Sequence, residues 1–401
     1  MKVLHIGKYF PPFAGGMENY LRDLMVAQAR AGIDSRALVH QSDFTLRSKQ
    51  ETWQARGQRL TVTRAALWGR VLYTPVSPTF GLLLRRLIKR ERPDLLHLHL
   101  PNVSAFWALL VPSARKIPWI LHWHADVLAS RHSPGLRLFY KIYRPFERAL
   151  LKRSSAIIAT SPTYLESSAP LQAFHSKCHV IPLGLDPGEL PGATAPDEPP
   201  GGHDHRQLRV LAVGRLTYYK GFEYLIRAMA QCEGVELNLV GRGEQQAKLR
   251  ALTATLNLQQ RVRFHDFLPD PQLDEQFRWC DCLCLPSIER TEAFGMVLLE
   301  AMLHAKATII SDVPGSGMGW VVDDGVTGLH VPPEDIAALA SAMRHLQQNR
   351  DNMRRLGKQG REKFDGQFHI DQSCALVSRL YHDISPEQES AEGIKKSARN
   401  R

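Results

Sequence analysis

Apolar runs of β character alternate with amphipathic helical stretches over residues 1–184, stop over residues 186–205, and then begin again. In the first half Lys2–Gly7, Ser35–His40, Leu95–Leu100, Trp119–Trp123, Ala156–Thr160 and His179–Leu183 read as strands. Glu18–Ala31, Phe80–Arg90 and Leu136–Lys152 read as helices between them. In the second half the strand candidates are Arg209–Val213, Val235–Val240, Val262–Phe267, Cys280–Leu285, Ala307–Ser311 and Gly328–Val331. Phe222–Cys232, Glu244–Leu256, Ala293–His304 and Pro333–Gln348 are its helix candidates. Strands that alternate with helices of this length form a parallel sheet covered on both faces. The interruption carries five prolines and four glycines between Asp186 and His205, too many for a helix or a central strand. The fold class expected is therefore α/β, with two doubly wound Rossmann-like domains facing each other across a cleft. Residues 1–185 form the first domain, 186–206 a linker and 207–370 the second domain. A helix over 371–385 is expected to pack back toward the first domain, followed by a disordered tail over 386–401.

Composition removes several classes. At 401 residues, 44% hydrophobic and 23% charged, the chain is neither disordered throughout, nor collagen, nor coiled coil. Met1–Lys8 reads as a strand rather than a leader, since Lys8 interrupts any apolar core. The longest uncharged run considered, Leu95–Ala114, contains His97, His99, Pro101, Asn102 and Pro112, which suits a strand, a turn and a helix better than a membrane span. A cytoplasmic location is expected. No C-x-x-C occurs among the six cysteines, and Cys280, Cys282 and Cys284 fall on one strand face, a pattern of small buried apolar side chains rather than of metal chemistry. Charge is uneven: residues 1–190 hold 26 lysines and arginines against 12 acids, and residues 191–401 hold 25 against 28. The basic half calls for an anionic partner: nucleic acid, a phosphorylated substrate or an anionic membrane face. Its densest cluster, Arg85–Arg92 after Leu82–Leu84, is readable either as a basic amphipathic helix or as a solvated helix face.

Four motifs follow strand ends, where open α/β sheets bind ligands. Tyr9–Glu18 follows the first strand, and Gly15 and Gly16 either let backbone N–H groups approach a phosphate or simply serve a tight turn. It is not G-x-G-x-x-G, so it is not a dinucleotide fingerprint. Gly214–Phe222 places Arg215 and Lys220 on one loop, either converging on a diphosphate or as exposed surface cations. Ser287–Met302 carries Glu292 before a helix and Glu300 about two turns into it; a carboxylate there either accepts paired sugar hydroxyls or faces solvent. His124 and Asp126 end the strand Trp119–Trp123 and either orient a substrate hydroxyl or form a structural hydrogen bond, with His122 a competing candidate. With His97 and His99 these histidines number four, but no acidic or cysteine-rich spacing accompanies them as a metal site requires.

Together the motifs resemble the family 4 retaining glycosyltransferases of the GT-B fold, from Val3 to about His382. The carriers are Pro11-Pro12 with Gly15-Gly16, His124-Ala-Asp126, Ala156–Ser161, Val180–Asp186, Gly214-Arg215 with Lys220-Gly221, Glu292-x7-Glu300 with Phe294-Gly295, and Gly325–Gly328 with Val331–Pro333. The resemblance implies a second domain that binds a nucleoside-diphosphate sugar. Glu300 would hold the ribose, Arg215 and Lys220 the diphosphate, and Glu292 with the backbone of Phe294 and Gly295 the transferred sugar. Gly214 belongs to the same donor site. Gly15 and Gly16 would approach the diphosphate from the first domain, His124 would touch the sugar near the reacting carbon, and Asp126 would orient the acceptor. The chain has no Asp-x-Asp, the pair that metal-dependent nucleotide-sugar enzymes usually present, so metal independence and no cofactor are expected. Hinge closure around Asp186–His205 would assemble the halves. The reaction implied is front-face transfer with retention, with Glu292 as a covalent nucleophile the weaker option. Gly315–Val322 is similar to a stretch in transferases of O-antigen or exopolysaccharide assembly, some of which use GDP-mannose or GDP-rhamnose; a UDP-sugar stays open. The acceptor expected is a glycan or a lipid-diphosphate-linked glycan, with peripheral contact to the anionic inner membrane face and no nucleic acid. The competing readings are a nucleotide-sugar 2-epimerase and a non-catalytic anion- or nucleic-acid-binding protein.

Overall fold

The computed structural model describes residues 1–13, 15–71, 74–127, 134–188 and 207–385. Most of the Pro/Gly-rich stretch (189–206) and the tail (386–401) lie outside the described residues. The chain forms two compact units. One comprises Met1–Ala159, Pro170–Ile181 and the residues from Asp371 onward; the other comprises Thr160–Ala169 and Pro182–Ile370.

The first unit is built on strands β1 (Lys2–Ile6), β2 (Asp34–His40), β3 (Lys49–Ala55), β4 (Gln58–Ala65), a small hairpin of β5 (Gly69–Val71) and β6 (Thr74–Val76), then β7 (Leu95–Leu100), β8 (Trp119–Trp123), β9 (Ala156–Ala159) and β10 (Cys178–Val180). Eight of them form one sheet in the order β10-β9-β8-β7-β1-β2-β4-β3, parallel except for β3 against β4. The strands β7, β8 and β9 are buried along their whole length, as the central strands of a sheet covered on both faces must be.

The second unit holds β11 (Leu208–Val213), β12 (Val235–Val240), β13 (Val262–His265), β14 (Cys282–Leu285), β15 (Ala307–Ser311) and β16 (Gly328–Val331). They form an all-parallel sheet in the order β13-β12-β11-β14-β15-β16. Its core packs the strand faces against the helices Phe222–Met229, Ile336–Gln348 and Arg350–Gln367. In both sheets the first strand of the unit lies where the strand order reverses. The loops after β1, β11 and β14 therefore open at a topological switch point.

There are four local departures from the sequence pattern, three of them with a plain physical reason. The hairpin β3–β4 turns through Arg56 (φ 49°) and Gly57 (φ 75°), and its outer strand is too polar to show an apolar run. The helix Arg350–Gln367 was hidden by a polar sequence with three internal glycines; it is anchored by buried Met353, Leu356 and Phe364. The helix expected from Ala293 begins at Met296, because Gly295 adopts φ 82°, outside helical space. Strand β14 begins at Cys282 rather than Cys280, although Cys280, Cys282 and Cys284 are all buried.

Gly221 is one of the tightest points of the second unit's loops. It has φ 67°, and a Cβ there would lie 2.0 Å from the Pro286 carbonyl oxygen. Gly325 has a similar φ of 68° in open space. Gly325→Ala should lower stability by about 1–2 kcal/mol, the left-handed strain of one L-residue. Gly221→Ala should lose clearly more in urea unfolding, since loop displacement is added to the same strain.

Candidate active site

The loop after β11 folds back over itself. Residues Tyr218–Lys220 make one 3-10 turn, and Gly221 closes it and starts the helix Phe222–Met229. The side chain of Lys220 returns over the bare Cα of Gly214, where an added Cβ would lie 3.1 Å from Lys220 Nζ. The Gly214 amide is held by the Val240 carbonyl (3.0 Å). Lys220 is thus buried, and Nζ lies 2.5 Å from Glu292 Oε2.

Glu292 comes from the loop after β14, which is fastened on both sides. The Ile288 amide donates to the Tyr219 carbonyl (2.8 Å), and Tyr218 Oη donates to Glu289 Oε2 (2.8 Å). Ser316 Oγ donates to the Glu292 carbonyl (2.5 Å), while Ser287 Oγ donates to Glu292 Oε2 (3.4 Å). Phe294 is buried against Trp320 and Phe368, with ring centroids 6.4 and 6.0 Å away. Glu300 is half-buried about one turn into the helix Met296–Leu303, not two turns into a longer one. Burial pulls the Lys220 ammonium down, but Glu292, Tyr219 and Glu300 more than offset it, so its pKa lies above the ordinary value. The structure thereby joins Gly214, Lys220 and Glu292 directly and Glu300 through its field. Arg215, by contrast, is exposed.

In the first unit Gly15 is extended (φ 177°) and precedes the helix Gly16–Arg30, whose first residue Gly16 is exposed. The carboxylate of Glu18 occupies the space beside it, with Oε2 only 2.1 Å from where a Gly15 Cβ would lie. Any side chain at Gly15 would displace that carboxylate. Asp126 is buried and accepts from Trp123 Nε1 (2.8 Å). His124 is buried, its amide donating to the Leu100 carbonyl (3.0 Å) and its ring stacked 4.3 Å from that of His122. Burial pushes its pKa down to about 3.

Three features escaped the sequence reading. Glu18 is a buried acid in the first turn of its helix, and Gly7, Glu18 and His99 border one small recess. Glu147, buried on the helix Pro134–Arg153, has its pKa raised to about 7 by burial, and accepts from Tyr140 Oη (3.1 Å). The third is His5, which adds a fifth imidazole to His97, His99, His122 and His124. Two triads of these rings, His5–His97–His99 and His99–His122–His124, have nitrogens within 4.8 Å of one another. Their hydrogen bonds already engage both ring nitrogens of His5, His97 and His99, and the rings of His97, His99, His122 and His124 stack nearly parallel instead of converging. That arrangement does not fit a metal, whose ligands must offer free, convergent lone pairs.

Removing Glu292 leaves the buried Lys220 ammonium without its partner, and removing Lys220 leaves the half-buried Glu292 carboxylate unpaired. In urea unfolding, Lys220→Met and Glu292→Gln should each destabilise, and the double variant should lose less than their sum. The expected coupling is about 1–3 kcal/mol. On the lysine side the contribution is complete below the ordinary ammonium pKa of 10.5 and fades only as pH rises through the raised value.

Comparison with known proteins follows the same division. The family described as "Glycosyl transferases group 1" matches residues 195–363, and "Glycosyl transferase 4-like domain" matches residues 15–184. The O-antigen chain mannosyltransferase C of Escherichia coli is 28% identical over 395 residues, covering 95% of this chain and 98% of that one. The D-rhamnosyltransferase WbpZ of Pseudomonas aeruginosa is 30% identical over 369 residues, covering 91% of each. Among solved structures, a sucrose-phosphate synthase from Thermosynechococcus elongatus superposes with a TM-score of 0.78 at 25% identity, covering 95% of this chain and 98% of that one. The Anabaena protein HepE, solved with UDP and glucose, gives a TM-score of 0.69 at 20% identity over 95% of this chain and 99% of its own. These matches, on two units of this architecture, identify the family: the chain belongs to the group 1 (family 4) glycosyltransferases of the GT-B fold, and is a glycosyltransferase.

Proposed function

We propose that this glycosyltransferase moves a hexosyl group from a nucleoside-diphosphate sugar to a glycan or lipid-linked acceptor in O-antigen-like polysaccharide assembly, with retention and without a divalent metal or cofactor. The observation that carries the reading is the ion pair of buried Lys220 with half-buried Glu292, backed by Glu300, at the switch point of the second sheet. A diphosphate leaving group gains negative charge as its bond to the anomeric carbon breaks. A fixed ammonium in a water-poor loop stabilises that charge without reorganising. Arg215, exposed on the same loop, supplies the second cation. Glu300 accepts from the ribose hydroxyls, and Glu292 with the Phe294–Gly295 backbone faces the sugar. In the first unit, Gly15, Gly16 and His124 are assigned to the donor and Asp126 to the acceptor. The acceptor oxygen bonds to the anomeric carbon on the face the diphosphate leaves, and its proton passes to the departing phosphate oxygen. The mannosyl- and rhamnosyltransferase relatives favour GDP-mannose or a GDP-rhamnose-like donor.

The acceptor reading extends to a membrane surface. No helix among the described residues is long and apolar enough to cross a bilayer. The helix Pro134–Arg153 instead exposes Leu138, Ile142 and Phe146 in one stripe, beside exposed Lys141, Arg144, Arg148 and Lys152. An apolar stripe rimmed by cations suits peripheral contact with anionic lipid, where a lipid-linked acceptor would be held.

Lys220→Ala and Arg215→Ala should each lower kcat by about 10²–10³-fold with the fold intact by circular dichroism. Near-normal turnover in both removes the diphosphate assignment. Glu300→Ala should weaken GDP binding in calorimetry far more than it lowers kcat. For the surface, the Leu138→Glu/Ile142→Glu double variant should stop co-sedimenting with phosphatidylglycerol vesicles; unchanged sedimentation rejects the membrane contact.

A further inference from the structure

One buried amide governs five buried imidazoles in the first unit. Gln28, on the helix Gly16–Arg30, is fully buried. Its Oε1 receives Ser35 Oγ (2.5 Å) and faces His5 Nε2 (2.9 Å). A carbonyl oxygen only accepts, so His5 carries its proton on Nε2 and offers a lone pair at Nδ1. His99 Nε2 lies 3.1 Å from that lone pair and must donate. His99 Nδ1 is then an acceptor, and His124 Nε2 donates to it across 3.0 Å. This branch ends in a bare lone pair at His124 Nδ1.

The other side of the amide runs the opposite way. Gln28 Nε2 donates to Tyr381 Oη (3.0 Å), so the single hydroxyl proton of Tyr381 points to His97 Nδ1 (2.6 Å). His97 Nε2 donates in turn to His122 Nδ1 (3.3 Å). This branch ends in an N–H at His122 Nε2. Neither His122 Nε2 nor His124 Nδ1 has a hydrogen-bonding partner among the described residues, and both rings are buried. The rings are stacked 4.3 Å apart at 5°. Burial holds all five imidazoles below their ordinary pKa, so neutral rings pass this alternation intact.

We infer that Gln28 is a positioning residue: through His5 and His99 it makes His124 an acceptor, and through Tyr381 and His97 it makes His122 a donor, so that the two stacked rings bind the hydroxyls of a sugar. A phosphate oxygen satisfies the N–H but not the lone pair, and an ammonium does the reverse. A sugar hydroxyl or a neighbouring pair of them satisfies both. The sugar half of this inference rests on the glycosyl-transfer reading above; the tautomer half does not.

The test is long-range ¹H–¹⁵N NMR of the full chain labelled with [¹⁵N]histidine, with the five imidazoles assigned by single substitutions. All five should be neutral Nε2–H forms at pH 7, and an Nδ1–H form at His124 or His122 overturns the assignment. In Gln28→Glu a carboxylate replaces the amide donor, so Tyr381 donates to it. His97 and His122 should then switch to Nδ1–H while His5, His99 and His124 keep Nε2–H. Both branches switching together, or neither, overturns the control by Gln28. Tyr381→Phe is the second variant: it should unlock His97 and His122 into averaged forms and leave the other branch unmoved, and unchanged His97 and His122 signals again overturn it. Adding GDP-mannose or UDP-glucose should move the His124 Nδ1 signal where GDP and UDP do not. If neither sugar nucleotide moves it while the tautomers stand as assigned, the sugar contact is rejected and the relay is retained.

Discussion

An ammonium group taken out of water must find a counter-charge, and in the second unit that requirement falls on Lys220 and Glu292. The two side chains come from different loops, after β11 and after β14, and their contact at 2.5 Å is supported by hydrogen bonds between the same loops. Breaking such a pair is strongly destabilising because a charge is left buried alone. The loops that open at the switch point are therefore held in one arrangement before any ligand arrives. The sheet order puts this preset cation at the carboxyl end of adjacent central strands, where the function proposed above would place a leaving diphosphate.

The first unit solves a related problem without charge. Its central strands bring His5, His97, His99 and His122 to one sheet face, with His124 just beyond β8. Five ionised rings could not be buried side by side. Neutral rings can, provided every proton has an assigned place, and Gln28 with Tyr381 supplies the assignment.

The doubly wound pattern was legible because buried parallel strands are nearly unbroken apolar runs, as in Leu95–Leu100 and Val235–Val240. What the pattern hid were elements stabilised by something other than an apolar stripe: the hairpin around Arg56–Gly57 and the polar helix Arg350–Gln367. At the site, the sequence marked the loops that carry Lys220 and Glu292, which the structure brings into contact. It could not show that Lys220 is buried against Glu292 while Arg215 stays exposed, because that depends on how two loops from distant parts of the chain meet. The link between Gln28 and Tyr381 spans 353 positions and leaves no local trace. Asp281 was a second silent partner: between two inward-facing cysteines, it holds both Arg209 and Arg350.

The first unit is assembled from separated pieces of chain, and its last piece is the segment from Asp371 onward. Ser373 meets Tyr20, and Tyr381 meets Gln28 and His97, all inside that unit. A gene fragment ending before the second unit would therefore encode an unfinished protein, with the phenol missing from its polar interior. Chimeras that trade amino-terminal halves between related transferases face the same demand: the graft must bring its own carboxyl-terminal helix, or inherit one whose hydroxyl and phenol fall in register with the borrowed glutamine.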